Sequence, residues 1–176
     1  MGITVISGGQ TGVDTGGINA AKVLGAEFAD WEAMLPAGFK REKPMPDWMV
    51  KEKGKRVREL KQATQYEDRT KHVVSRAVAC LVIEHPDKET PGTKLTLSLC
   101  KQNGGVQLWR FQNVQDKAKW KAESHAVAYW LRSLLSSHGP DITLMVAGPR
   151  EGKWGAGETT AFALMTTILR AVKEDK

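Results

Sequence analysis

The stretch ITVISGGQTGVD, residues 3–14, decides the fold class. Ile3–Ser7 is rich in β-branched residues and predicts a buried strand. A glycine-rich turn follows, and apolar residues then recur at helical spacing from Val13 to Leu24, where Gly25 ends the pattern. A strand, a glycine turn and a helix in this order are typical of the first unit of a parallel α/β sheet.

The same alternation recurs about four times along the chain. The apolar run AVACLVI at residues 77–83 suits a strand that is covered on both faces. Further strands are predicted at 106–111 and 142–147, and helices at 66–76, 93–102, 117–138 and from the last glycine-rich turn to about Val172. We therefore expect an α/β fold with an open, mostly parallel sheet.

The segment after the first helix has different signals. Prolines and glycines punctuate Phe28–Trp48, which predicts a loop. Asp47 then begins a predicted helix to about Lys61, whose residues 51–61 are strongly basic. We expect one domain over residues 1–176, with a surface insertion around residues 39–65.

Composition excludes several classes of protein. Of 176 residues, 41% are hydrophobic and 26% charged, which argues against a wholly disordered chain. No apolar run approaches the ~20 residues of a membrane-spanning helix, and the first residues do not resemble a secretory signal. We therefore expect a cytoplasmic protein without a membrane partner. The net charge of +6 weakly favours anionic ligands.

The cysteines and histidines show no metal-ligand spacing, so no metal site is expected. Cys80 and Cys100 lie in apolar stretches and are predicted to be buried thiols.

Polar glycine turns follow three of the predicted strands. Parallel sheets bind ligands at the carboxyl ends of their strands, where glycine lets backbone N–H groups approach and helix N-termini favour phosphate. Each turn alone is also typical of a simple chain reversal. The candidate ligand-binding residues are Ser7, Gly8, Gly9, Gln10, Thr11, Gly12 and Asp14 in the first turn, Gly92 and Thr93 in the second, and Gly148, Pro149, Arg150, Glu151 and Lys153 in the third.

These turns also carry a family resemblance. Five motifs occur in the order found in one family. They are the run SGGQTGVD, the Pro36-Ala37-Gly38 turn, the set Tyr66, Arg69 and Thr70, the GTKLT run at 92–96 and the run VAGPREGK at 146–153. The chain resembles the circularly permuted YpsA-like branch of the SLOG superfamily, whose members are often labelled molybdenum carriers. The resemblance implies a Rossmann-like three-layer fold, a homodimer or homotetramer, and a nucleotide, the molybdenum cofactor or another phosphorylated ligand.

Two departures from the family pattern bear on function. Thr15 stands where the family usually has Arg after GVD, which puts phosphate binding at that position in doubt. The hydrolase branch has a PGGxGTxxE motif, whereas residues 91–96 are PGTKLT and lack its acid. A hydrolase here would need another acid, for which Asp14 and Glu151 are the candidates.

The leading hypothesis is therefore a protein that binds a nucleotide-like or other phosphorylated small molecule, as a molybdenum cofactor carrier or a nucleotide sensor. The alternative is an enzyme of the nucleotide N-glycosidase or phosphoribohydrolase type that uses Asp14 or Glu151. A third hypothesis is a nucleic-acid-binding module that uses the basic helix at 51–61. Nucleic acid is not the expected partner, because no aromatic platform interrupts the basic residues.

Overall fold

The computed structural model describes residues 2–112 and 114–174, and its centre is a six-stranded sheet. The strand order is β3-β2-β1-β6-β4-β5, and every neighbouring pair is parallel. In the register, Val5 of β1 lies between Trp31 of β2 and Leu144 of β6. The strands are β1 Gly2–Ser7, β2 Asp30–Pro36, β3 Val57–Leu60, β4 Ala79–Ile83, β5 Gln107–Phe111 and β6 Asp141–Ala147.

Helices cover both faces of this sheet and give a Rossmann-like three-layer fold, as predicted. They are α1 Val13–Leu24, α2 Asp47–Val50, α3 Tyr66–Arg76, α4 Pro91–Gln102, α5 Lys117–His138 and α6 Gly157–Glu174. Helices α1, α5 and α6 share one apolar core with the sheet. Helices α3 and α4 share the other core on the opposite face. None of the described helices, in 2–112 and 114–174, is long and apolar enough to cross a membrane.

Alternation along β1 divides its side chains between the two cores. Val5 contributes to the α1, α5 and α6 core, whereas the next residue, Ile6, contributes to the α3 and α4 core. Helix α1 packs unusually close to α6 at Gly16. A Cβ on Gly16 would lie only 2.2 Å from the carbonyl oxygen of Glu158. This glycine thus serves backbone packing, in spite of its cost of about 1 kcal/mol inside a helix.

Two local predictions are wrong. Strand β2 occupies part of the predicted loop, because Trp31 and Leu35 are buried between β1 and β3. The predicted helix to Lys61 ends at Val50, and Val57–Leu60 pairs with β2 as an edge strand. Charged residues favour helix in isolation but are also common on edge strands. The basic 51–61 helix of the nucleic-acid hypothesis therefore does not form.

The connections determine where a ligand cleft opens. Strand β6 lies between β1 and β4, and the helices that follow β6 and β4 cover opposite faces. Such a switch point leaves a crevice at the carboxyl ends of the strands. Since each long helix runs back across a parallel sheet, the N-termini of α1, α3, α4 and α6 lie at this same edge.

Candidate functional site

A cavity of about 400 Å³ opens at this edge of the sheet. Its walls come from the turn after β1, the first two turns of α3, the start of α4, the end of β6 and the turn that follows β6. The lining residues are Gln10, Asp14, Tyr66, Arg69, Thr70, Thr90, Pro91, Gly92, Leu95, Thr96, Met145, Ala147, Gly148, Arg150 and Lys153.

A buried ion pair forms one wall of the cavity. Arg69 on α3 and Asp14 on α1 are each 7% exposed, and Arg69 Nη1 lies 3.2 Å from Asp14 Oδ2. The same carboxylate oxygen accepts a hydrogen bond from the Gln10 N–H at 3.3 Å. Burial raises the pKa of Asp14 above its ordinary value, and the charge of Arg69 opposes that rise without cancelling it.

Arg69 also fills the space above the first glycine turn. A Cβ on Gly8 would lie 0.8 Å from Arg69 Nη1, so the glycine makes room for the guanidinium. The Arg69 Cζ atom lies 5.9 Å from the centre of the Tyr66 ring. Arg69 Nε is buried and has no hydrogen-bond partner among the described residues. Since a buried donor without a partner is costly, this guanidinium is prepared to bind an acceptor.

The start of α4 forms a second, positively polarised wall. Thr90 caps the helix, and its Oγ1 accepts a hydrogen bond from the Thr93 N–H at 3.4 Å. Gly92 in the first turn is open, since a Cβ there would meet nothing within 4 Å. The helix dipole favours an anion at this end. Arg150 and Lys153, from the turn after β6, line the same cavity and add two positive charges.

A carboxylate joins the first and third glycine turns outside the cavity. Glu42 Oε2 accepts hydrogen bonds from Thr11 Oγ1 at 2.6 Å and from the Gly152 N–H at 3.2 Å. Its other oxygen, Oε1, lies 3.7 Å from Arg150 Nε. These bonds hold the pKa of Glu42 below its usual range. We call this arrangement the Glu42 bridge.

Thr15, the position where the family usually has Arg, lies beside another arginine of the chain. Arg41 Nη2 donates a hydrogen bond to Thr15 Oγ1 at 2.9 Å, so an arginine from a different part of the chain contacts this position. Burial lowers the pKa of Arg41, and the charge of Asp14 opposes that shift.

Six of the predicted site residues line the cavity: Gln10, Asp14, Gly92, Gly148, Arg150 and Lys153. The remaining ones support these turns or face elsewhere, and they are Ser7, Gly8, Gly9, Thr11, Gly12, Thr93, Pro149 and Glu151. Ser7 Oγ, for instance, accepts from the Gly9 N–H at 3.0 Å. The Glu151 carboxylate is paired with Lys43 Nζ at 2.5 Å. Of the two candidate acids, only Asp14 therefore lines the cavity.

The α3 residues of the cavity were not among the predicted site residues. Arg69 and Thr70 are both 7% exposed, although both are polar. The resemblance had already singled out these residues and Tyr66. Their position in the first two turns of α3 places them at the carboxyl edge of the sheet, but the sequence hid this because β3, the strand before α3, was predicted as helix.

The described residues, 2–112 and 114–174, contain no group of three or more His, Cys, Asp or Glu side chains that could hold a metal ion. Cys80 on β4 and Cys100 on α4 are free and buried in the core, as predicted.

Comparisons with known proteins agree with this architecture. A family model described as "Circularly permutated YpsA SLOG family" matches residues 5–169. A similar solved structure is the crystal structure of "Putative molybdenum carrier protein" from Syntrophus aciditrophicus SB. It has a TM-score of 0.73 and 23% sequence identity, with 94% of each chain covered. At that identity the likeness concerns the fold. No curated protein matches the chain.

Proposed function

The chain belongs to the circularly permutated YpsA SLOG family, and from this premise we propose that its cavity binds a phosphorylated small molecule of the nucleotide or pterin type. The observation that carries the proposal is the composition of the cavity wall. Arg150, Lys153 and the open N-terminus of α4 line one cavity. Cations and helix N-termini are the groups with which proteins bind phosphate.

The rest of the wall suits the organic part of such a ligand. Leu95, Met145 and Ala147 supply apolar surface beside the polar groups. Pockets for organic ligands are usually apolar with a few placed polar groups, and their volumes run from about 300 to 1,000 Å³. A cavity of about 400 Å³ is at the small end of this range, which suits a mononucleotide better than a dinucleotide.

The molybdenum cofactor belongs to the same ligand class, since it combines a phosphate with a pterin ring. The donor set of the cavity fits its phosphate and its ring. Arg150, Lys153 and the Gly92 end of α4 would hold the phosphate, and the apolar residues would flank the ring. When bound, the cofactor supplies a molybdenum centre for redox chemistry, and on this proposal the role of the chain is to hold and transfer it.

Native mass spectrometry of the gently purified protein tests the proposal. We expect a bound species whose mass, after release, matches a phosphorylated nucleotide or pterin. In parallel, a thermal-shift screen should show stabilisation by such compounds, because a ligand of the native state at 100 times its Kd adds about 2.7 kcal/mol. The proposal fails if the protein carries no ligand and none of the phosphorylated nucleotides or pterins shifts its melting temperature.

One observation favours an enzyme as a second candidate. Asp14 is a buried carboxyl in the cavity, and burial raises its pKa, a perturbation that is common at catalytic sites. In a nucleotide N-glycosidase it would stabilise the oxocarbenium-like centre or activate water. Release of free base from nucleotide monophosphates, abolished by Asp14→Asn, would support the enzyme. Nucleotide that binds and is recovered intact would support a carrier or sensor.

Assembly and location stay predictions. We propose a homodimer or homotetramer, as the resemblance implies, and a cytoplasmic location, as the sequence composition predicts. Sedimentation velocity of the purified protein tests the assembly.

A further inference from the structure

Three side chains of the cavity keep hydrogen-bonding groups available in a particular pattern. Gln10, Asp14 and Arg69, here called the polar wall, are each less than a tenth exposed and line the cavity. The oxygen of Gln10 accepts from the Thr11 and Glu42 N–H groups, which leaves its Nε2 as a donor. Both hydrogen bonds to Asp14 reach Oδ2, which leaves Oδ1 as an acceptor. Among the described residues, Arg69 donates a hydrogen bond only through Nη1, to Asp14, and its Nε has no partner.

This pattern is poorly suited to phosphate. A phosphate dianion at the polar wall would face the Asp14 carboxylate, and like charges in a buried site repel strongly. A purely apolar group would leave the Arg69 donors without a partner, which is costly in a buried position. The group that fits is neutral and carries a hydrogen-bond donor beside an acceptor.

We propose that the polar wall recognises the lactam edge of the ligand's heterocycle, a ring carbonyl next to a ring N–H, as in 6-oxopurines and pterins. Asp14 Oδ1 accepts from the ring N–H, and Arg69, assisted by Gln10 Nε2, donates to the carbonyl. The inference rests on the proposed function for the phosphate end of the ligand, where Arg150, Lys153 and the α4 N-terminus bind.

An aminopurine edge presents the opposite pattern. Adenine has an amino group where the lactam has its carbonyl, and a ring nitrogen lone pair where the lactam has its N–H. The lone pair would face the Asp14 carboxylate and the amino group would face Arg69, so both buried groups would lose their partners. Sites built on hydrogen bonds reject such mismatches strongly.

The test is isothermal titration calorimetry of the whole chain with GMP, IMP, AMP and neopterin monophosphate. We expect at least one lactam ligand to bind about tenfold or more tighter than AMP. Asp14→Asn retains the shape of the side chain but can donate as well as accept, so it should reduce the preference over AMP by about tenfold. Arg150→Ala, at the phosphate end, should weaken all ligands by a similar factor and leave their ratio unchanged.

The outcomes separate this inference from the proposed function. If AMP binds as tightly as the lactam ligands, or if Asp14→Asn binds them with the wild-type ratio, the inference is overturned and phosphate binding stands. If none of the four ligands binds, the proposed function is overturned together with it. Should Asp14→Asn prove unstable, Gln10→Glu serves instead: it replaces the Nε2 donor by an acceptor and should also reduce the preference for the lactam ligands.

Discussion

The guanidinium of Arg69 lies where a side chain at position 8 would begin, 0.8 Å from the place of a Cβ on Gly8. The glycine turn after β1 is therefore complementary to an arginine of α3. Gly8→Ala must displace Arg69 from Asp14 and leave a buried carboxylate without its partner. We expect a loss of roughly 1–3 kcal/mol in the free energy of unfolding, measured by urea denaturation.

Two further glycines provide the comparison for this variant. Gly104→Ala should be nearly neutral, because a Cβ there meets nothing within 4 Å. Gly148→Ala should cost more than Gly8→Ala, since its Cβ would lie 2.4 Å from the carbonyl oxygen of Ile83, a backbone atom that cannot rotate away. Wild-type stability of Gly8→Ala would contradict the fixed position of Arg69.

The Asp14–Arg69 pair should show strong energetic coupling. Breaking a buried pair on one side leaves an uncompensated charge, so Asp14→Ala and Arg69→Ala should each destabilise the protein by about 3–5 kcal/mol. The double variant should lose clearly less unfolding free energy than the two single variants lose together. The difference, the coupling energy of a double-mutant cycle, should be about 1–3 kcal/mol. Additive effects would mean that the two groups do not interact in the folded protein.

The pH dependence of stability should reveal the buried Asp14. Its folded-state pKa is raised above the ordinary value of 3.8, mainly by burial. The folded protein thus holds this proton to higher pH than the unfolded chain does. The contribution of Asp14 to stability is full below about pH 3.8 and declines as the pH rises through the folded-state pKa.

Asp14→Asn lacks this titration and supplies the reference. We expect the stability of the wild type relative to Asp14→Asn to fall as the pH rises from about 4 towards 7, measured by urea denaturation at each pH. A difference that stays constant, or one that grows with pH, would show that the pKa is not raised.

The phosphate end of the site can be tested by the charge of Arg150. Arg150→Ala should reduce the affinity for GMP by about 10- to 100-fold, which is the usual contribution of a charge-assisted hydrogen bond. The affinity for guanosine should be unchanged. Arg170→Ala removes the same charge from an exposed position on α6 and should bind GMP as the wild type does. Equal losses for guanosine and GMP would exclude a phosphate contact.

The Glu42 bridge should restrain the loops around the cavity entrance. Glu42→Gln weakens the bonds to Thr11 and Gly152, so amide hydrogen exchange should quicken in residues 39–46 and 149–154. Glu52→Gln removes the same charge nearby and should leave these rates unchanged.

The Glu42 bridge should also depend on pH, because the pKa of Glu42 lies below the ordinary glutamate value of 4.5. When the pH falls below 4.5 and Glu42 becomes protonated, the exchange rates of the wild type should approach those of Glu42→Gln. Protection in Glu42→Gln equal to the wild type would show that the bridge does not restrain the loops.

Elements with a strong local pattern were predictable from the sequence. Helices α1, α3 and α5 begin and end at the predicted residues. In α1 the apolar periodicity and Gly25 mark the helix locally. The first and third glycine turns follow β1 and β6, whereas Gly92 lies in the first turn of α4. Each of the three segments supplies at least one residue to the cavity.

The errors arise where tertiary contacts override local preference. Strand β2 ends at Pro36 just before Gly38, which favours a loop locally, and its strand character comes from burial between β1 and β3. The basic segment extends as a strand because β2 offers it hydrogen bonds, and Arg58 pairs with Glu32 of that strand at 3.3 Å. Arg69 was missed as a site residue for a similar reason: its partner, Asp14, is distant in sequence.

The position of β6 has a consequence for folding and biosynthesis. Residues 141–147 are inserted between β1 and β4, although β6 is the last of the six strands along the chain. Until they emerge from the ribosome, β1–β3 and β4–β5 are two half-sheets with exposed inner edges, which are prone to pair wrongly. A nascent chain that ends before residue 141 should need chaperone protection and should be unable to retain a ligand, because the cavity also requires Met145, Ala147 and Gly148.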